Sequence, residues 1–413
     1  MARILVAGGS LGGLFAAGLL LRAGHDVLVL EKSPSPLDGR GAGIVTHPPL
    51  LKALEQVGAR VDDSLGVRVA ERRVYARSGA VEASLPLKQT LTSWGRLYQL
   101  LREQLSQERY RLGMEVVDVE EDGTGVTAHC HDGSKTHADL LIACDGLRSC
   151  LREKLAPEVQ PSYAGYIAWR GVCDEALLSR KTLDSLFGYF GFCLPAGEQM
   201  LGYPVAGAAN CTQVGHRRYN FVWYRACAQG SALEALLTDE DGARHPLGIA
   251  PHKVGRHHVA QMRADARDLL APQFLEVVEK TPQPFFQPIY DVCSTRLAFG
   301  RVALLGDAAF VARPHVGMGV TKAAEDAAAL AHAVALHGPT PVALEAYENA
   351  RLPIGYRVVE RARELGAYMQ QQGKGASGAS VTVHRDAQRV LADTAVEFPA
   401  RAAPLPGTAP LTL

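Results

Sequence analysis

Ile4-Leu5-Val6-Ala7-Gly8-Gly9-Ser10-Leu11-Gly12-Gly13 is the stretch whose reading decides the fold. An apolar run that meets glycines at once predicts a short buried strand ending in a tight turn. Residues 11–23 then predict a helix, and Val27-Leu28-Val29-Leu30 a second buried strand that stops at Glu31. Strand, turn, helix and strand in that order form a βαβ unit of a Rossmann-like α/β fold. Its glycine turn brings free backbone N–H groups and the positive helix end against a diphosphate. Gly8 permits the turn and Gly13 lets helix and strand pack closely. Ser10 stands where GxGxxG has its middle glycine, with Gly9 and Gly12 expected to relieve the crowding. Glu31 is placed to accept hydrogen bonds from ribose hydroxyls, the other reading being a solvated strand-end acid.

Two later strands repeat the pattern. Leu140-Leu141-Ile142-Ala143 runs into Cys144-Asp145-Gly146, and Val302-Ala303-Leu304-Leu305 into Gly306-Asp307. Both are short, apolar and closed by an acid beside a glycine, as expected of central parallel strands covered on both faces. They are expected to join the first sheet. Between them the chain changes character, with aromatic clusters near 163–169, 187–192 and 219–224 and frequent Gly and Pro. That composition predicts a separate, mainly antiparallel sheet, with helical periodicity only near 261–280. An alanine-rich helix is predicted from residue 319 to 336, and a longer one over about 341–372 with Pro353 as a bend.

Composition narrows the partners. Among 413 residues, Lys+Arg and Asp+Glu both number 43, so no broad basic field exists to collect nucleic acid or anionic lipid. A small molecule is the expected partner. The 8 Cys contain no CxxC pair, which fits reduced cytosolic thiols better than disulfides or zinc. His252, His257 and His258 match no common metal spacing, so no metal is expected. The apolar run at 14–21 is interrupted by Gly18 and falls short of the roughly 20 residues a membrane span needs. No signal-peptide layout is seen, and a cytoplasmic protein that spans no membrane is expected.

Taken alone, the opening serves NAD as well as FAD. The later segments point to FAD. Gly306-Asp307-Ala308-Ala309 closes a strand with an acid that can hold a ribityl hydroxyl. Pro314-His315-Val316-Gly317-Met318-Gly319 then opens the alanine-rich helix. Its glycines allow close backbone approach to a flat ring, and the helix N-terminus favours negative charge on a reduced flavin. A plain capping turn is the other reading.

The whole pattern resembles the class A flavoprotein aromatic monooxygenases, the para-hydroxybenzoate hydroxylase-like group. The residues that carry it are 8–13, Glu31, GRGAGI at 39–44, CDGLRSCLR at 144–152, GDAA at 306–309 and PHVGMGVTKAAEDA at 314–327. Within the group, Thr92-Ser93-Trp94, Tyr163 to Tyr166 with Trp169-Arg170-Gly171, Asn220 to Tyr224 and Arg313-Pro314-His315 look like its hydroxypyridine hydroxylases. The resemblance implies a tightly bound FAD held by Gly8, Gly9, Ser10, Leu11, Gly13, Glu31, Lys32, Arg40, Gly43, Asp145, Asp307, Gly317, Met318 and Gly319. It also implies NADH or NADPH as a transient donor, O2, and a homodimer. Two departures stand out: Ser10 replaces a glycine, and Phe310 stands where many relatives carry His. The domains expected are a discontinuous FAD-binding domain at 1–160 and 291–340, a substrate domain at 161–290, C-terminal helices at 341–398 and a tail at 399–413. GKGASGAS at 373–380 reads as a connector.

The chemistry implied is attack of a flavin C4a-hydroperoxide on an electron-rich (hetero)aromatic ring, a hydroxypyridine such as 2,6-dihydroxypyridine. Phenol or hydroxybenzoate hydroxylation, or a flavin oxidoreductase or halogenase on the same fold, are the alternatives. The WxWxIP segment of halogenases is not found. The cofactor supplies the hard chemistry, while protein must exclude water and hold the ring. Tyr189, Phe190, Phe192, Tyr203, Trp223 and Tyr224 are candidate ring walls, with ordinary sheet core as their other reading. His315, after Pro314, is a candidate to take a ring proton because its intrinsic pKa is near neutral. Arg225 and Arg170 are candidates to meet an anionic substrate, and structural ion pairs are the competing reading.

Overall fold

The computed structural model describes residues 1–38, 43–370 and 386–397. Arg40 and most of GRGAGI, the connector at 373–380 and the tail at 399–413 lie outside the described residues.

The βαβ opening forms as read. A six-stranded sheet runs in the order Ala298–Phe299, Val302–Leu304, Leu140–Ala143, Arg3–Ala7, Asp26–Glu31, Tyr110–Leu112. All its neighbours are parallel except the first pair, a short hairpin. Ile4, Leu5, Val6, Leu141 and Ile142 are wholly buried. Helices Leu11–Arg22 and Gly319–His337 pack on each other, and they share one core with a three-stranded antiparallel sheet, Val116–Glu121, Val126–Cys130 and Lys135–Ala138. Covered strands of this kind show no polar alternation, which is why these segments read as unbroken apolar runs.

The second sheet has nine strands, and its neighbours are antiparallel except for Tyr189–Cys193 beside Val67–Tyr75. Its centre is built from Ser162–Asp174, Arg218–Ala226, Gln199–Val205 and Phe285–Cys293. Three strands from before residue 100 extend it: Gly43–Val45, Val67–Tyr75 and Val81–Ser93. Pairing of this kind covers an edge that would otherwise expose unmade hydrogen bonds.

Side chains alternate across this sheet and divide it into two environments. On the outer face Trp169, Met200, Phe221 and Trp223 pack against helices Arg256–Leu269 and Pro272–Lys280 through Met262, Phe274 and Val277. On the inner face Tyr166, Phe190, Phe192, Tyr203 and Tyr224 meet the C-terminal part of the chain through Tyr368, Met369, Val390, Leu391 and Ala395. Helix Pro341–Gly366 carries Pro353 inside it and leads to this contact. Phe310 is core: its ring packs edge-on to Tyr356 and fills the space a side chain at Gly355 would need.

Candidate functional site

Three loops converge at the C-terminal ends of the parallel strands, the place where open α/β sheets bind ligands. Gly8 holds φ +106°, and a Cβ there would lie 2.3 Å from the Cys144 carbonyl oxygen. A Cβ on Gly13 would lie 2.0 Å from the Gly8 oxygen. Glycine is therefore required at both positions for helix and strands to approach. Gly12 neighbours Ala323, and the Gly306 carbonyl accepts a 3.1 Å hydrogen bond from Lys322 Nζ, so the third loop closes on the first.

Glu31, Asp145 and Asp307, the acids expected to meet a dinucleotide, lie at or just after the ends of three parallel strands. Glu31 is buried and accepts the Gly9 N–H at 2.7 Å and the Ser33 N–H at 2.8 Å. Each carboxylate oxygen retains a further lone pair. Lys32 beside it is exposed. Asp145 Oδ1 is buried without a hydrogen-bond partner among the described residues, while Oδ2 accepts the Leu151 N–H at 3.4 Å. Asp307 makes no hydrogen bond among the described residues. It opens to solvent yet lies in a hollow: crowding protein raises its pKa, Lys322 lowers it and Asp326 raises it again. Ser10 and Met318 cap helices Leu11–Arg22 and Gly319–His337 without a side-chain hydrogen bond, which leaves both first turns' N–H groups for another acceptor. An orphaned carboxylate oxygen, an open acid and two uncapped helix starts fit FAD.

Beneath this floor lies a buried ionic group that the sequence reading missed. Lys322 Nζ donates to Asp326 at 2.9 Å and Arg351 Nε donates to the same carboxylate at 2.7 Å. The four-residue spacing of Lys322 and Asp326 on one helix was the available signal.

The flavin loop meets the second sheet through His315, and Gly43 opens an edge strand of that sheet. Gly43 N–H donates to Asn220 Oδ1 at 3.1 Å, and the Tyr203 ring occupies the space a side chain at 43 would take. Tyr203 thus stands on the inner face, near a residue expected to border the cofactor. His315 is 1% exposed and packs against Tyr224 at 4.1 Å between centroids, the rings tilted by 44°. Its Nδ1 pairs with Gln199 Oε1 at 3.0 Å and its Nε2 with the Tyr166 hydroxyl at 3.0 Å. Gln199 Oε1 can only accept, so Nδ1 carries the proton and Nε2 accepts from Tyr166. Burial, with a contribution from the Arg313 charge, pushes its pKa down to about 3. The expectation that His315 takes a ring proton is therefore corrected: both nitrogens are committed and the imidazole is too weak a base. Pro314, half-buried, starts the same short turn Pro314–Val316.

Gly317 is left-handed at φ +65°, and its close neighbour is Ala395: a Cβ at 317 would lie 2.6 Å from the Ala395 Cβ. Met318 is buried and Gly319 exposed. The segment 386–397 crosses here. Ala395 N–H donates to His315 O at 2.8 Å. Ala395 O accepts from Arg72 Nη2 at 3.0 Å and pairs with His47 Nε2 at 3.4 Å. His47, also missed, reaches Thr321 at the start of the flavin-facing helix through Nδ1 at 3.1 Å, and burial pushes its pKa down to about 4. Its place just after the third strand was the only sequence clue.

Trp223, Arg225 and Tyr189 do not lie on the inner face. Trp223 is on the outer face, wholly buried, with Nε1 donating to Glu198 at 2.8 Å. Arg225 lies on that face too, donating to Glu198 at 2.9 Å and to Asp265. Tyr189 is turned the same way, its ring under the Arg73 guanidinium at 3.4 Å. One-residue alternation explains all three, because their neighbours Tyr224 and Phe190 face inward. An open groove of about 720 Å³ lies away from the flavin loops, lined by Asp239, Lys253, Arg256 and Arg263; its acids Asp239 and Glu240 are already paired with Lys253 and Arg256.

Loop convergence, acid placement and an aromatic sheet face define a flavoprotein monooxygenase. The chain belongs to the family described as FAD binding domain, whose pattern matches residues 1–190 and 262–362; a related pattern, FAD binding domain-like, matches 163–291. It is 33% identical to 2,6-dihydroxypyridine 3-monooxygenase of Paenarthrobacter nicotinovorans, covering 90% of this chain and 92% of that one. It is 30% identical to 6-hydroxynicotinate 3-monooxygenase of Pseudomonas fluorescens, over 80% and 81%. The solved structure of 2,6-dihydroxypyridine-3-hydroxylase from Arthrobacter nicotinovorans superposes with a TM-score of 0.84 at 32% identity, covering 92% and 95%. This chain is an FAD-dependent monooxygenase that acts on an aromatic ring.

Proposed function

We propose that the enzyme hydroxylates a hydroxypyridine, 2,6-dihydroxypyridine being the first ring to test, with NADH or NADPH as a transient donor and O2 as co-substrate. The observation that carries this reading is nearly full-length similarity to hydroxypyridine hydroxylases in both sequence and structure. Bound FAD supplies hydride acceptance and oxygen activation. Gly8, Gly9, Ser10, Leu11 and Gly13 hold its diphosphate, and Glu31 its ribose, with Lys32 alongside. Asp145 and Asp307 hold its polyol, and Gly43 with Gly317, Met318 and Gly319 borders its ring. Tyr203 and Tyr224 wall the chamber for the substrate, and Pro314 lies beside it. Their burial supports exclusion of water.

We assign residues 1–160 and 291–340 to the FAD domain, with strands 43–45, 67–75 and 81–93 lent to the substrate sheet of 161–290. Residues 341–398 form the C-terminal part, which includes the helices Pro341–Gly366 and Ala387–Asp393. Among the described residues no helix is long and apolar enough to cross a membrane. The free cysteines support a reducing, cytoplasmic setting, and a homodimer is proposed from the resemblance alone.

The test is direct. Purified protein is yellow, and 2,6-dihydroxypyridine accelerates NADH or NADPH oxidation with matching oxygen uptake and a hydroxylated product. Stimulated oxidation that ends only in hydrogen peroxide, across hydroxypyridines, hydroxybenzoates and phenols, overturns the reading.

A further inference from the structure

Two arginines on the inner face of the second sheet, Arg72 and Arg170, differ in their partners. Arg72 is fully committed: its Nε donates to Gln89 at 2.8 Å, and its Nη atoms to the carbonyls of Leu391, Thr394 and Ala395. Arg170 makes no side-chain hydrogen bond and no ion pair among the described residues, and its Nε is buried without a partner. Alternation along Ser162–Asp174, which turns Tyr166 and Ala168 inward, turns Arg170 inward as well. Its charge acts on the hydroxyls of Tyr203 and Tyr224.

Neither tyrosine neutralises it. Burial raises both phenols, Tyr224 to about 12, so both stay protonated at working pH. Arg225, on the other face, has Glu198 and Asp265 for that purpose. A half-buried guanidinium among aromatic rings with no counter-charge carries a desolvation cost that an incoming anion offsets. Guanidinium also suits a planar ring through stacking and its fork of donors.

We propose that Arg170 determines the specificity of the ring chamber by binding the oxyanion of a hydroxylated ring, so that ionised hydroxypyridines are chosen over neutral rings of similar size. The inference rests on the hydroxylase reading above. Only an O–H bond breaks: the ring hydroxyl gives its proton to water, and the anion left behind pairs with Arg170. The same negative oxygen feeds electron density into the carbon to be attacked.

Two rings test it by titration of the flavin absorbance in FAD-loaded enzyme: 2,6-dihydroxypyridine, and 2,6-difluoropyridine as the neutral comparison. Arg170→Gln is expected to raise the Kd of the dihydroxypyridine roughly tenfold or more, the effect of losing a charge-assisted hydrogen bond, and to leave the neutral ring unchanged. Arg170→Lys recovers part of the loss, and kcat/KM falls through KM rather than kcat. Equal weakening of both rings, no weakening of either, or a folded Arg170→Gln that sheds FAD overturns the proposal. If Arg170→Gln does not fold, wild-type titrations decide: affinity for 2,6-dihydroxypyridine must climb with ring ionisation, and a flat profile is fatal. Because these readouts are binding constants, they stand apart from the hydroxylase reading, which fails instead if wild-type enzyme converts no ring to a hydroxylated product.

Discussion

Two buried imidazoles make acid sensitivity calculable. His315 falls from 6.5 to about 3 and His47 from 6.5 to about 4, both chiefly through burial. A folded-state pKa below the unfolded value means that the stabilisation is complete above pH 6.5 and drains away as pH falls toward the folded value. At pH 5 the unfolded imidazoles are almost all charged while both folded ones are still neutral. Each therefore withdraws roughly 2 kcal/mol between pH 7 and pH 5, at about 1.4 kcal/mol per tenfold. The perturbation is His315→Gln, read by urea unfolding of the FAD-loaded enzyme at the two pH values. The variant loses stability at both, since Tyr166 and Gln199 lose their partner, but the drop from pH 7 to pH 5 shrinks by roughly 2 kcal/mol. A variant whose stability falls with pH as steeply as the wild type refutes the neutral, committed imidazole.

Three further outcomes are expected. Asp307→Ala weakens FAD retention roughly tenfold or more, as for a lost hydrogen bond to a charged group, while apoprotein melting holds or rises. Flavin release by dialysis checks it, and unchanged FAD affinity shows that the ribityl contact was misplaced. Gly13→Ala pushes a Cβ to within 2.0 Å of the Gly8 oxygen, so FAD content collapses with at least about 2 kcal/mol of stability in urea titration. A yellow, fully stable variant sinks the packing argument. Trp223→Phe strips the Glu198 carboxylate of a donor and costs about 1–3 kcal/mol, yet the ring KM is unchanged. A tenfold KM shift returns Trp223 to the chamber.

The FAD-facing half was legible because its signals are local. Gly8, Gly13 and the acids after each strand are dictated by backbone geometry over a few residues. The substrate-facing half was legible only in outline. Aromatic enrichment predicted the sheet, but which of Phe190 or Tyr189, Tyr224 or Trp223 faces inward depends on register, which no local pattern discloses when both faces are apolar. His315 stands out in the sequence by its position, but its chemistry is set by burial and by the partners Tyr166 and Gln199, which come from strands far away in sequence.

From residues alone come the βαβ opening, the parallel strands with their acids, the flavin loop at 314–319 and the absence of a broad charged field. These follow from short-range rules: turn geometry, apolar runs, helix starts. Only folding assigned Arg225 to an ion pair and left Arg170 without one, lent strands 43–45, 67–75 and 81–93 to the second sheet, and laid Ala395 against Gly317. Those outcomes turn on which distant surfaces meet, and burial and charge compensation are properties of the meeting, not of either segment.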